Sequence, residues 1–146
     1  MKFAVLASLA AVAAAAPSVE SRATWTEWFA NIHAQPEPFN PNNLTFAFDF
    51  AYTDGTTYKC STYYDLDTGV SANTSCAAGV TATVGFPSGL VTIQNWAPYV
   101  YNDYVQKTYT ANISTENPNY LCGHSGTPGV AATCFNQFGT FTATVI

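Results

Sequence analysis

Residues 121–129 read LCGHSGTPG and place a serine between small residues, directly after a histidine. A Gly-x-Ser-Gly run is typical of the nucleophile segment of trypsin-like proteases, so Ser125 is the first candidate for chemistry. A nucleophilic serine needs a histidine that takes its proton and an acid that orients that histidine. The side chain of His124 diverges from that of its chain neighbour, and His33 has no acidic residue beside it. We therefore interpret this segment as a polar loop without a catalytic residue.

The segment LDTG at residues 66–69 contains the Asp-Thr-Gly triplet of aspartic proteases. That chemistry requires two carboxylates that share a proton across a symmetric interface. Asp67 instead has Asp65 as its neighbour and lies in turn-forming sequence between two cysteines, which favours a polar turn. Asp65, Asp67 and Gly69 also match half of a calcium loop, but the remaining ligands are missing. The sequence thus predicts no catalytic residue, no metal ligand and no cofactor.

The first 22 residues do not read as part of a fold. Lys2 precedes an apolar run from Ala4 to Ala16 that is closed by small residues and is too short to span a bilayer. These features are typical of a secretory signal peptide. We predict a signal peptide over residues 1–15, a candidate pro-segment over residues 16–22 and one domain over residues 23–146. The predicted location is extracellular.

The predicted mature domain is acidic. Residues 23–146 contain two basic side chains against eight acidic ones, a formal net charge of −6. Nucleic acids and anionic membranes are bound by clusters of lysine and arginine. Both are therefore excluded as partners.

Four cysteines in a secreted chain indicate disulfides. Cys60 and Cys76 lie 16 residues apart, and Cys122 and Cys134 lie 12 residues apart. Four cysteines allow three connectivities, of which local pairing within each of these pairs is the simplest, because each pair brackets turn-rich sequence. Zinc is disfavoured because neither pair is C-x-x-C and no histidine clusters with them.

The segment NLTFAFDFAY at residues 43–52 alternates large apolar and smaller residues, which predicts a half-buried strand. The next segment, TTYKCSTYY, would return as the second strand of a hairpin. A three-residue loop pairs Phe50 with Tyr58 and Phe48 with Cys60, which keeps one face apolar, whereas a two-residue loop does not. We therefore expect the three-residue loop, with its glycine at positive φ and Cys60 facing inward.

Short alternating segments recur along the rest of the chain. Further strands are predicted at residues 81–86, 90–96, 107–114 and 140–146, and turns at residues 87–89, 97–98 and 117–119. Residues 23–32 fit a strand or a short helix, and their aromatic content favours the strand. Many short strands with frequent turns are typical of an all-β, antiparallel barrel or sandwich.

Three N-x-[ST] sequons are candidate glycosylation sites in a secreted chain. They begin at Asn43, Asn73 and Asn112. Asn73 is favoured because it lies in the loop before Cys76. Asn112 is expected to point away from the apolar face of its strand.

Taken in order along the chain, these features resemble the Alt a 1 family of secreted fungal proteins. The likeness rests on the signal peptide ending AAAAP, the aromatic segment TWTEWF, the strand LTFAFDF, the two cysteine spacings and NPNY at residues 117–120 before Cys122. Together they cover nearly all of the mature chain. The resemblance implies a compact antiparallel β-barrel held by two local disulfides, Cys60–Cys76 and Cys122–Cys134.

The resemblance also implies a function. Members of the family are secreted or associated with the cell wall and have no established enzymatic activity. Some are allergens, and some act on plants as elicitors or effectors that engage defence proteins. Members that form disulfide-linked dimers carry an additional N-terminal cysteine. This chain lacks it, so a covalent dimer is excluded if all four cysteines pair internally, and a non-covalent dimer stays open.

We accordingly expect a secreted, non-enzymatic effector-like or allergen-like protein that acts through its folded surface on an extracellular protein partner, such as a plant defence protein. Segments 65–75 and 97–104, read as loops, combine acids with rings and supply the candidate contact residues Asp65, Asp67, Tyr101 and Asp103. The alternative is a module that binds carbohydrate or a small aromatic ligand. Its candidate platform in NWAPYVYNDY consists of Trp96, Tyr99, Tyr101 and Tyr104.

We predict that replacing Ser125 by alanine leaves every activity of the secreted protein unchanged, because the loop needs only a small residue there. A fluorophosphonate probe, which marks activated serines, is the direct test. Labelling of Ser125 in the wild-type protein would show that the non-enzymatic interpretation is wrong.

Overall fold

The computed structural model describes residues 27–146. The predicted signal peptide over residues 1–15 and the pro-segment over residues 16–22 lie outside the described residues. The described chain contains strands and turns without a helix: β1 (Trp28–Glu37), β2 (Asn40–Ala51), β3 (Thr57–Asp65), β4 (Val70–Ser71), β5 (Thr74–Ala77), β6 (Val80–Gly85), β7 (Asn95–Asn102), β8 (Lys107–Thr110), β9 (Ile113–Ser114), β10 (Tyr120–His124), β11 (Ala132–Asn136), β12 (Phe141–Thr142) and β13 (Thr144–Val145).

These strands form two antiparallel sheets. The first has the order β10-β11-β1-β2-β3-β4, with β12 paired to β1. The second has the order β13-β8-β7-β6-β5, with β9 paired to β7. The predicted all-β antiparallel fold is thus confirmed. The two sheets do not close into one continuous ring, so the predicted barrel is not confirmed.

The hairpin of β2 and β3 has the predicted register. Phe50 pairs with Tyr58 and Phe48 pairs with Cys60. Gly55 adopts a φ of 91°, which a residue with a side chain rarely tolerates. The phenylalanines of β2 are buried, and Cys60 is 4% exposed. The alternation of apolar residues therefore fixed the register, because a slip of one residue would have turned every ring toward water.

Strand β7 differs from the prediction. The predicted strand at residues 90–96 and the predicted turn at 97–98 are wrong, because β7 begins at Asn95 and continues through Pro98. On one side, β7 pairs first with β9 and then with β8, and these two strands are separated by a gap at residues 111–112. The pairings on either side of the gap show that the gap lies opposite Pro98. Pro98 has no N–H to donate, and this costs no hydrogen bond between strands on the side of β7 that faces the gap. The same gap divides the predicted strand at 107–114 into two.

The final alternating segment does not remain in one sheet. Strand β12 pairs with β1 in the first sheet, and β13 pairs with β8 in the second. Between them the N–H of Ala143 donates to the carbonyl of Glu27 at 2.8 Å. Because the segment changes sheets, Val145 is 49% exposed, although alternation in one continuous strand over residues 140–146 would put it on the same apolar face as Phe141.

The core forms where the phenylalanines of β2 meet the second sheet. The ring of Phe46 lies 4.6 Å from that of Trp96, and the ring of Phe50 lies 5.0 Å from that of Tyr109, measured between ring centroids. Such tilted contacts contribute beyond the area they bury, about 0.5–1.5 kcal/mol each. The two sheets are therefore held face to face largely by aromatic side chains.

A buried hydrogen-bonded chain runs through this core. Trp96 Nε1 donates to the hydroxyl of Tyr120 at 2.9 Å, and that hydroxyl donates to the carbonyl of Ile93 at 2.7 Å. Trp96 belongs to β7 in the second sheet and Tyr120 to β10 in the first. The chain thus satisfies the polar atoms of two fully buried rings and links the two sheets.

Both predicted disulfides are present. Cys60–Cys76 joins β3 of the first sheet to β5 of the second, with Cα atoms 4.8 Å apart. Cys122–Cys134 joins residues that face each other in β10 and β11. One bridge therefore fastens the two sheets to each other, and the other fastens two strands that are already paired.

We predict that replacing either cysteine pair by serines lowers the free energy of unfolding by about 3 kcal/mol, because both bridges close loops of similar length. Urea unfolding of the two double variants, Cys60→Ser/Cys76→Ser and Cys122→Ser/Cys134→Ser, measures this loss. Peptide mass mapping without reduction serves as the control for connectivity. A peptide in which Cys60 is joined to Cys122 would contradict the register described above.

We predict that Tyr120→Phe lowers the free energy of unfolding by about 1–3 kcal/mol at neutral pH, because it leaves the indole N–H of Trp96 buried without an acceptor. Burial raises the pKa of Tyr120. The stabilising effect of the Tyr120 hydroxyl is therefore complete below the ordinary tyrosine pKa of about 10, and it declines as the pH rises above that value. Urea unfolding across this range should show a shallower alkaline decline in the variant. Equal declines in the two proteins would contradict this role of Tyr120.

Candidate functional site

The outer surface of the second sheet is formed by tyrosines and threonines. The even-numbered residues of β7 are buried, so Tyr99 and Tyr101 point outward. Tyr99 lies between Thr83 of β6 and Thr110 of β8, and Tyr101 lies between a corresponding pair. We call this surface the tyrosine–threonine face; it comprises Tyr99, Tyr101, Thr81, Thr83, Thr108 and Thr110.

A shallow depression occupies part of this face. It has a volume of about 290 Å³ and is lined by Asn73, Thr81, Thr83, Tyr99, Tyr101 and Thr108. None of these side chains is charged, and all except Asn73 are rings or β-branched. The surface is consequently stiff, because such side chains have few rotamers to lose on binding.

The ring of Tyr99 lies close over the backbone of Gly85. A methyl group at Gly85 would lie 2.7 Å from Cε2 of the ring, closer than two carbon atoms normally approach. Gly85 is therefore the residue that allows the ring to lie across the sheet. Tyr99 as a whole is half-buried and lines the depression.

The turn after β7 supplies the next ring. Tyr104 is 75% exposed, and its ring lies against Gly79, where an added methyl group would be 2.6 Å from Cε2. Its backbone N–H donates to Oδ1 of Asn102 at 2.9 Å. Asp103 is exposed between these residues, and the hydroxyl of Tyr101 lies 3.4 Å from its Oδ1. Tyr99, Tyr101, Asp103 and Tyr104 are thus brought together on one hairpin, of which segment 97–102 is strand rather than the predicted loop.

Trp96 does not belong to the predicted platform. It is completely buried, in contact with Phe46 and bonded to Tyr120. The platform prediction is wrong for this residue, because Trp96 and Tyr99 are three positions apart on a strand and therefore face opposite sides.

Asn102 and the flanking threonines were not identified from the sequence. Asn102 is buried, and its Nδ2 donates to the hydroxyl of Tyr52 at 2.7 Å. This bond fixes the start of the turn that presents Asp103 and Tyr104. The sequence did contain a signal for two of the threonines, because Thr81 and Thr83 alternate with buried residues in the predicted strand TATVGF.

Asp65 and Asp67 line a different depression. Its volume is about 300 Å³, and its walls are Asn40, Asn42, Asn43, Tyr63, Asp65 and Asp67. Oδ1 of Asp65 accepts hydrogen bonds from the N–H groups of Asp67 and Thr68, at 2.8 and 3.3 Å. Asn42 Nδ2 donates to the carboxylate of Asp67 at 3.2 Å. The carboxylate of Asp65 therefore holds its own turn, and that of Asp67 ties the turn to β2.

Ser125 lies in the loop between β10 and β11. Its Oγ accepts a hydrogen bond from the N–H of Thr127 at 3.0 Å. His33 Nε2 is 3.0 Å from the hydroxyl of Thr133, on a paired strand. In the described part of the chain neither histidine is bonded to Ser125, and no group of three His, Cys, Asp or Glu side chains could hold a metal ion.

The three sequons have different surroundings. Asn73 and Asn112 are exposed. Asn43 is half-buried, and its Nδ2 donates to Glu37 Oε2 at 2.8 Å. Use of the sequons stays a prediction, but the side-chain amide of Asn43 already has a partner in the fold.

Over residues 27–146 no helix is long and apolar enough to cross a membrane. The chain matches no protein-family model, no curated protein and no solved structure.

Proposed function

We propose that this is a secreted, non-enzymatic protein that acts through its folded surface on an extracellular protein partner. The contact surface is the tyrosine–threonine face together with Asp103 and Tyr104. The observation that carries the proposal is that Tyr99 and Tyr104, on one hairpin, each pack on a glycine and are held in place before any partner arrives.

Preorganised tyrosines suit protein recognition. A tyrosine offers a large contact area at a low cost in conformational entropy, and tyrosines are enriched among the residues that dominate binding energy. Tyr101 is 40% exposed and Tyr104 is 75% exposed. Short threonines around them leave the rings accessible to a flat partner surface.

The charge of the chain favours a basic partner. Residues 27–146 contain two basic and eight acidic side chains, a formal net charge of −6. Long-range attraction of this kind raises the association rate and is weakened by salt. Asp103 places one of these charges beside Tyr101, whereas Asp65 and Asp67 lie in the other depression and form a second candidate contact.

The likeness of the sequence to the Alt a 1 family supports the same function. If it reflects kinship, the protein is effector-like or allergen-like, its partner is a plant defence protein, and the two sheets correspond to the barrel of that family. The Cys60–Cys76 bridge and the sheet-switching segment at residues 141–145 both join the two sheets.

A second candidate function is binding of a carbohydrate or a small aromatic ligand. The specific observation in its favour is the ring of Tyr99, which packs on Gly85 and lines the depression. An apolar sugar face or an aromatic ring packs on such a surface, and threonine hydroxyls beside it can bond to sugar hydroxyls. Trp96 takes no part in this version of the site.

We predict that Tyr101→Ala weakens binding of the oxidised, unglycosylated protein to a protein from plant extracellular fluid by about 2 kcal/mol, roughly thirtyfold in Kd. Gly85→Ala should also weaken binding, because the added methyl group displaces the ring of Tyr99. Surface plasmon resonance with the captured partner measures both effects. Unchanged Kd values in both variants would sink the proposal.

A charge-matched pair separates local from overall electrostatics. Asp103→Lys and Asp67→Lys change the net charge equally, but only the first lies beside the tyrosine–threonine face. We expect the larger loss of affinity, and the larger change in salt dependence, from Asp103→Lys. Equal losses would mean that only the net charge matters. Binding to chitin or glucan that requires Tyr99, without any protein partner, would favour the second candidate function.

A further inference from the structure

Two sequons flank the same tyrosine. Asn73 lines the 290 Å³ depression that includes Tyr99 and Tyr101. Asn112 lines a second depression, of about 270 Å³, that also includes Tyr99. Both asparagines are exposed. Two modification signals of this chain therefore lie on opposite sides of the ring of Tyr99.

The register of the second sheet gives the spacing. Thr74 pairs with Ala82, so the same register continued by one residue sets Asn73 beside Thr83, the partner of Tyr99. Asn73 is then two strands from Tyr99, about 10 Å between Cα atoms. The intervening Thr83 is short, so a sugar attached to Asn73 can extend over it to the ring.

Asn112 reaches the ring from the other side. Trp96 pairs with Ile113, which sets Asn112 beside Ala97, the residue two positions before Tyr99 on the same face. Such a diagonal separation is about 7–8 Å. The first sugar on Asn112 is thus within reach of the ring of Tyr99.

The chemistry of the modification is a glycosyl transfer from a lipid-linked oligosaccharide pyrophosphate. The side-chain amide nitrogen of the asparagine forms a bond to C1 of N-acetylglucosamine, the bond from that carbon to the pyrophosphate oxygen breaks, and the amide gives up one proton. The transfer depends on the Asn-x-Ser signals of Asn73 and Asn112. The sugar so attached has an apolar face of C–H groups that can pack on an aromatic ring.

We propose that N-linked glycans on Asn73 and Asn112 pack their first sugars on Tyr99 and thereby control access to the tyrosine–threonine face. This inference rests on the proposed secretion of the chain and names a regulation of the proposed contact surface. In the glycosylated protein, the protein's own glycans cover the tyrosine–threonine face. An external partner reaches the tyrosines only in molecules in which the sequons are unoccupied or the glycans have been removed.

The test uses the full chain secreted from a eukaryotic host that attaches N-glycans. The wild-type protein is compared with Ser75→Ala/Asn112→Gln, which lacks both signals, and peptide masses give the occupancy of each site. Nitration by tetranitromethane then measures the accessibility of individual tyrosines. We expect Tyr99 to react severalfold more slowly in the glycosylated protein, while Tyr63, on the other sheet, reacts equally in both.

A second readout detects the packing itself. The N-acetyl methyl protons of the first sugars should be shifted upfield by the ring of Tyr99 in the wild-type NMR spectrum and should return to the position of a free glycan in Tyr99→Ala. Equal nitration of Tyr99 in both proteins, unshifted methyl signals or unoccupied sequons would each overturn the inference. Partner binding is tested separately with the unglycosylated protein. If the proposed function fails there, the nitration and NMR results still decide whether the glycans pack on Tyr99.

Discussion

The packing of the β2 phenylalanines on Trp96 and Tyr109 is the interaction on which the rest of the structure depends. It holds the two sheets face to face and directs Trp96 inward, where the hydroxyl of Tyr120 accepts its N–H. Because side chains alternate along a strand, an inward Trp96 also directs Tyr99 and Tyr101 outward. The contact that builds the core therefore also determines which rings form the surface. A shift of β7 by one residue would exchange the two sets.

Several parts of this arrangement could be predicted from the sequence because they depend on local constraints. The register of β2 and β3 followed from keeping Phe48 and Phe50 on one face, and the turn followed from Gly55. The disulfides followed from short spacings that bracket turns. In each case a wrong choice would have exposed an apolar face or required a distant partner, so the sequence alone left few alternatives.

Other parts depend on pairings between distant segments. The residues around Pro98 predict a turn, because they do not reveal the gap between β8 and β9 that accommodates a proline in β7. The wrong prediction that Trp96 is exposed follows from the wrong bounds of this strand, because the position of a ring in its strand decides which side it faces. Closure into a barrel depends on how sheet edges meet, and no local pattern encodes that. The threonines of the candidate surface became recognisable only after β6, β7 and β8 were placed side by side.

The scarcity of basic residues has a consequence for how the protein is degraded. Lys59 and Lys107 are the basic side chains of residues 27–146, and both lie in strands. Lys59 pairs with Asp49 in the interior of the β2–β3 hairpin, with its ammonium 3.6 Å from the carboxylate. A trypsin-like protease must draw an extended segment into its cleft, so it can cut here only after a sheet has opened. The rate of cleavage at Lys59 would then follow the population of opened molecules and not the motion of surface loops.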